Sequence, residues 1–156
     1  GEEPTLRLVG GPPLLMYRHA AGQSQSAKTP RRLLLRLRVE AFEKRVLARP
    51  PFDKGLAVWG AGRDAKDVLK AMDAKELAKV RVLVDVDEKK IAAKFYVNKE
   101  LGCKIPIRRF EVLREGGEFG DLPVMVCVAM YRTGGKLEEN VRSIGRKEGV
   151  DLWHFC

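Results

Sequence analysis

Residues 56–72 read LAVWGAGRDAKDVLKAM, and this stretch sets the fold class. Leu56-Ala57-Val58-Trp59 predicts a short apolar strand, Gly60-Ala61-Gly62 a tight turn, and Asp64 to Met72 a helix. Gly60-x-Gly62-x-x-Ala65 therefore follows a strand directly and opens a helix. In a dinucleotide-binding unit the first glycine makes the turn, the second lets backbone approach a pyrophosphate, and the helix N-terminus offers N–H groups to the anion. A strand-to-helix turn also needs glycine for its backbone alone, with or without a ligand. Arg63 and Lys66 flank the turn and suit phosphate.

The same alternation continues downstream. Val80 to Val84 predicts a second strand ending in Asp85-Val86-Asp87, and Glu88 to Ala93 one or two helical turns. Asp85, 25 residues beyond Gly60, stands where an acidic side chain bonds a ribose hydroxyl in nucleotide-binding folds. Lys104-Ile105-Pro106-Ile107 reads as a short strand leading to a helix near Phe110 to Arg114. Pro123 to Met130, PVMVCVAM, is the almost wholly apolar run expected of a central strand buried on both faces. Thr133-Gly134-Gly135 then forms a second glycine turn before a helix from about Leu137 to Lys147, and Asp151 to Phe155 closes as a last strand. Strand and helix alternating at this spacing predict a Rossmann-like, doubly wound parallel sheet. In the usual strand order the first and fourth strands are neighbours, which would open both glycine turns into one crevice.

Upstream, Thr29-Pro30 supplies an N-cap and a first-turn proline for a long amphipathic helix that Pro50-Pro51 stops. Leu35, Val39, Phe42 and Val46 give its apolar stripe, widened by Leu34, Leu37, Ala41 and Ala48. Lys28, Arg31, Arg32, Arg36, Arg38, Lys44, Arg45 and Arg49 make it strongly basic against Glu40 and Glu43 alone. Residues 1–50 carry ten of the 30 Lys and Arg and four of the 21 acidic residues, so most of the formal net charge of +9 lies in this third. Such a segment attracts polyanions, including RNA phosphates and anionic lipid surfaces; a solvated helix face is the plainer alternative.

Composition closes several doors. With 45% hydrophobic and 33% charged residues in 156, the composition is that of one modest globular domain, or of one domain plus an appendage, and not of a disordered or low-complexity chain. No apolar run approaches the roughly 18 residues of a membrane span. Gly1-Glu2-Glu3 starts nothing like a signal peptide, and the abrupt beginning suggests a fragment of something longer. Cys103, Cys127 and Cys156 share no CxxC spacing and read as thiols in a reducing compartment, neither a disulfide framework nor a zinc site. Asp85-Val86-Asp87 matches a metal-chelating DxD only superficially, its place after a second strand explaining it better. His19 and His154 have no paired nucleophile or ligand cluster, and no GxSxG, HExxH or P-loop occurs.

These pieces in this order resemble one family. LAVWGAGRDAKDVLKAM, VLVDVDEKKI (82–91), FYVN (95–98), KIPI (104–107), VMVCVAM (124–130), TGGKLEENVRS (133–143) and EGVDLWHF (148–155) resemble the C-terminal region of the β-1,3-N-acetylglucosaminyltransferase-like proteins, which include the queuosine-tRNA galactosyltransferase. LLMYRHAAGQSQS (14–26) resembles the end of a family-two catalytic domain, with His19 as the histidine after its last strand. The resemblance implies a nucleotide-sugar-dependent glycosyltransferase with a Rossmann-like accessory domain. It divides the chain into residues 1–50, the end of the catalytic domain plus a basic connector helix, and residues 51–156, the accessory domain. The donor-binding half and its divalent-metal site have no counterpart in the sequence, so no catalytic residue carries over.

The expectations are therefore definite. A nucleotide or nucleotide-sugar would sit on Gly60, Gly62, Arg63, Asp85, Thr133, Gly134 and Gly135, while tRNA or rRNA would lie on Arg31, Arg32, Arg36, Arg38, Lys44 and Arg45. The function expected is that of a non-catalytic accessory domain acting on tRNA or a glycan, with an RNA-binding subunit of an organellar ribonucleoprotein as the alternative. The partners expected are RNA and the missing glycosyltransferase domain, with no membrane. The compartment expected is the cytoplasm, or else the mitochondrial matrix.

Overall fold

A computed structural model describes residues 28–129 and 134–156, and Arg31–Cys156 forms one compact unit. Helix α1 (Arg31–Phe42) passes into a π-helical turn (Glu43–Leu47). A short turn at Phe52–Lys54 then leads to β1 (Leu56–Trp59), α2 (Arg63–Ala71), α3 (Ala74–Leu77) and β2 (Val80–Asp85). There follow α4 (Glu88–Ala92), β3 (Phe95–Asn98), β4 (Cys103–Arg109), a 3-10 turn (Phe110–Leu113), β5 (Val124–Val126), α5 (Lys136–Ser143) and β6 (Leu152–His154).

The six strands form a mixed sheet in the order β3-β4-β2-β1-β5-β6, mostly parallel, with β3 antiparallel on the edge. All four residues of β1 are buried because both of its faces are covered. Leu56 and Val58 join one core cluster, with Val39, Val46 and Leu47 of the N-terminal helical segment and Ala65, Val68 and Leu69 of α2. Ala57 and Trp59 join the other, with Phe110 and Leu113 and with Leu137, Val141 and Ile144 at α5. The register slips between Leu56, opposite Val80, and Ala57, opposite Val82, which leaves Arg81 facing out at the irregularity.

Several expectations are corrected in detail. FYVN is a strand of its own, joined to β4 by a tight turn in which Asn98 Oδ1 accepts the Glu100 and Leu101 N–H groups and Gly102 takes φ +62°. The sheet is therefore not wholly parallel. Of the described residues of PVMVCVAM, Pro123 to Ala129, only Val124–Val126 lie in the ladder, since the neighbour β1 ends at Trp59 where Gly60 turns away. The helix expected near Phe110 is a single 3-10 turn, and α5 stops at Ser143, just before Gly145 at φ +69°. Leu37, counted in the apolar stripe, is exposed. The N-terminal helical segment belongs to the compact unit, so a boundary at residues 50 and 51 would cut through one core cluster.

Candidate functional site: a basic groove between two helices

Helical geometry turns the residue by about 100°, so Arg32 and Arg36 project nearly together while Arg38 lies roughly opposite. The structure follows this rule. Arg31, Arg32 and Arg36 line a groove of about 760 Å³ between α1 and α2, together with Arg63, Asp67 and Lys70 of α2 and Met72, Asp73 and Glu100. Val39 beneath them is only 2% exposed, so the arginines are carried on a rigid, core-anchored element. Arg63 lies 3.8 Å from Asp67, an exposed pair on one helix face. Among the described residues Arg31, Arg32, Arg36 and Lys70 make no ion pair with a carboxylate.

The groove's character changes along its length. Beyond Arg36 a second hollow of about 440 Å³ is lined by Glu40, Glu43, Asp73 and Glu76 as well as Lys44 and Lys75. Glu43 is buried, and burial pushes its carboxyl up, partly offset by the Asp73 N–H that donates to Glu43 Oε1 at 2.8 Å. Basic surface is thus concentrated at the N-terminal end of α1.

The other expected polyanion contacts divide. Arg38 turns to the opposite side, where Arg38 Nη2 donates to the Phe155 carbonyl and the guanidinium sits 4.9 Å from the Phe155 ring centroid. Lys44 donates to Glu40 Oε1 at 2.7 Å in an exposed pair. Arg45 is exposed and lines neither hollow. Lys70 was missed in the sequence although it shares a face with Arg63 seven residues earlier. That heptad spacing is the signal that would have found it.

The glycine turn after β1 is held from within. Gly60 has φ +119°, and a Cβ there would meet Val128 Cγ2 at 3.0 Å and the Cys127 carbonyl oxygen at 3.1 Å. Ala61 N–H donates to Asp85 Oδ2 at 2.8 Å, while Val86 and Asp87 N–H groups donate to Oδ1 at 2.9 and 3.0 Å. Lys90 Nζ stands 3.1 Å from Asp85 Oδ2. Burial alone would raise the Asp85 carboxyl, but the Ala61 and Asp87 N–H groups and the Lys90 ammonium together hold it below the usual range. The carboxylate placed by sequence at a ribose is thus already committed to the turn. Gly62, the N-cap of α2, has an ordinary φ of −86°, and a Cβ there would meet only Lys90, with Nζ at 3.5 Å.

The second glycine turn follows β5, which does lie beside β1. Thr133 lies outside the described residues, as does His19. Gly134 and Gly135 have φ of +56° and +88°, and Gly135 is the N-cap of α5 with Glu138 and Glu139 in the first turn. Those carboxylates, like Asp64 at the start of α2, already complement the helix dipoles. His154 Nε2 is 3.2 Å from Glu148 Oε2. No cluster of three or more metal-ligating side chains occurs among the described residues, and no helix among them is long and apolar enough to cross a membrane. No family model matches this chain, and no solved structure matches it either.

Proposed function

We propose that Arg31–Cys156 is the Rossmann-like accessory domain of a nucleotide-sugar-dependent glycosyltransferase acting on RNA, and that the α1–α2 groove holds the acceptor's phosphate backbone. The strand order supports the first half: with the antiparallel edge strand β3 set aside, the five parallel strands run third, second, first, fourth, fifth across the sheet, the doubly wound arrangement. The sequence resemblance supplies the enzyme class, with tRNA as the first acceptor to test.

The observation that carries the RNA half is the convergence of Arg31, Arg32 and Arg36 with Arg63 and Lys70 on one groove. Cations fixed on two rigid helices neutralise successive phosphates and position a strand without reading its bases. A groove that engages four or five phosphates gives a slope of log K against log salt of about −3 to −4, so affinity falls roughly 10²-fold between 50 and 200 mM salt. Fluorescence anisotropy with labelled tRNA measures this directly. A flat salt dependence, or unchanged affinity in an R31E/R32E/R36E variant, overturns the reading. The same groove would serve a non-catalytic RNA-binding subunit, and sugar transfer to tRNA by the whole protein distinguishes the two. A nucleotide at the Gly60 turn is less well supported, because Asp85 and Ala61 satisfy each other there.

A further inference from the structure

The β3–β4 hairpin at the edge of the sheet has two unlike faces. In its register Phe95 stands opposite Pro106, Val97 opposite Lys104, and Tyr96 opposite Ile105. Side chains alternate along a strand, so the first two pairs share one face and the third lies on the other. Tyr96, Ile105 and Ile107 enter the core cluster that holds Val39 of α1 and Val68 of α2. On the opposite face Phe95 is 39% and Val97 58% exposed, and Phe95 is the one exposed aromatic ring among the described residues. Buried side chains on one side of the hairpin thus fix an open ring on the other.

The surroundings of that ring are basic. Lys104 Nζ lies over it, 4.4 Å from its centroid. Lys94 and Lys99 are exposed at the two ends of β3, and Arg108 follows along the same face of β4, with Glu118 4.0 Å away. Residues 94–109 carry five Lys and Arg against Glu100 alone. A flat apolar spot ringed by cations complements a partner that is planar in one part and anionic in the next, which is the chemistry of an unpaired nucleotide strand. A second copy of the chain seated there would set lysine against lysine. Glu100, in the hairpin turn, also lines the α1–α2 groove, so the hairpin borders the surface assigned to phosphate.

We propose that this face of the β3–β4 hairpin is a stacking platform for unpaired RNA. A base lies on the Phe95 ring with Val97 and Pro106 beside it, and Lys104 turns from the ring to the adjoining phosphate. The choice of RNA rests on the reading of the groove, yet the two surfaces sense different things. Groove cations meet phosphates in paired and unpaired RNA alike. Phe95 needs a base whose face is free, so the platform directs the domain to single-stranded loops and ends.

The test is fluorescence anisotropy of the whole chain with a labelled oligouridine of about 12 nucleotides, within the range of single-strand site sizes, and with an abasic strand of the same length. Wild type should bind the oligouridine more tightly. F95A should lose about 5- to 150-fold in affinity for the oligouridine and nothing for the abasic strand, whereas F95W, which keeps a ring, should bind at least as well as wild type. K104A should flatten the slope of log K against log salt by about 0.7. These side chains are exposed, and thermal melts check that each variant keeps its fold. Groove and platform fail separately: R31E/R32E/R36E should weaken both strands alike, and if it binds as wild type while F95A loses the oligouridine, the groove falls and the platform stands. Equal wild-type affinity for the two strands, or F95A binding oligouridine as wild type does, overturns the platform. So does Phe95-dependent binding to phosphatidylserine vesicles with no binding of oligouridine, which would make the face a lipid contact.

Discussion

At the scale of single residues, Gly60 and Gly62 look alike in the sequence and differ in the fold. Gly60 combines φ +119° with Val128 Cγ2 and the Cys127 carbonyl oxygen only 3.0 and 3.1 Å from where a Cβ would stand. Gly62 has neither constraint. Gly60→Ala should therefore lose about 1–3 kcal/mol, seen as a lower midpoint in urea, whereas Gly62→Ala should stay within about 0.5 kcal/mol of wild type. Equal losses at the two positions would show that the turn, not the first glycine, sets the cost.

Asp85 makes a prediction in pH. Its folded-state pKa is depressed, so the unfolded state binds the proton first, and the carboxylate's contribution is complete above the ordinary range near about 4 and lost as pH falls through the folded value. Asp85→Asn keeps the shape but loses acceptor capacity for Ala61, Val86, Asp87 and Lys90. It should cost about 1–3 kcal/mol at pH 7, and the gap to wild type should shrink below about pH 4 in parallel urea titrations. A gap independent of pH would mean that the carboxylate's charge is not what holds the turn.

At the scale of elements, α1 carries the division between binding and packing. Arg31, Arg32 and Arg36 face the groove, and Arg38 braces Phe155. Reversing the first three should reduce tRNA affinity at least 10-fold with little change in thermal midpoint, because they are exposed and unpaired among the described residues. Arg38→Ala should do the opposite, lowering the midpoint by a few degrees and leaving affinity within about twofold. Anisotropy and thermal melts on the same preparations check both, and an Arg38→Ala variant that loses RNA would place it in the binding surface. This split was legible in the sequence from the 100° turn per residue, yet grouping every cation of the segment together hid it. The β3 hairpin was less legible: four residues give too little alternation to see, and the turn depends on Asn98 and Gly102, which only the fold brings into register. The central strands were legible because burial on both faces forces them to be almost wholly apolar. Their lengths were not, since a strand ends where its partner does.

At the scale of the whole molecule, the segment before Pro50 reads as an appendage by charge and as core by packing. Composition shifts sharply there, but the apolar stripe under the arginines has to be buried against something, and the sheet's first face is what it meets. Val39, Val46 and Leu47 enter the same cluster as Leu56, Val58 and Phe155, with Leu35 and Phe42 packed against it. Each fully buried aliphatic side chain contributes about 1.5–3 kcal/mol, so removing three of them takes away roughly 5–9 kcal/mol, comparable with the whole net stability of a domain this size. Residues 31–156 alone should therefore melt cooperatively, while residues 52–156 should show an unfolded or loosely packed state by near-ultraviolet circular dichroism and proton–nitrogen correlation spectra. A dispersed spectrum from the shorter piece would mean that the helix is a detachable connector, and the groove between α1 and α2 would then have to be a flexible surface instead of a fixed one.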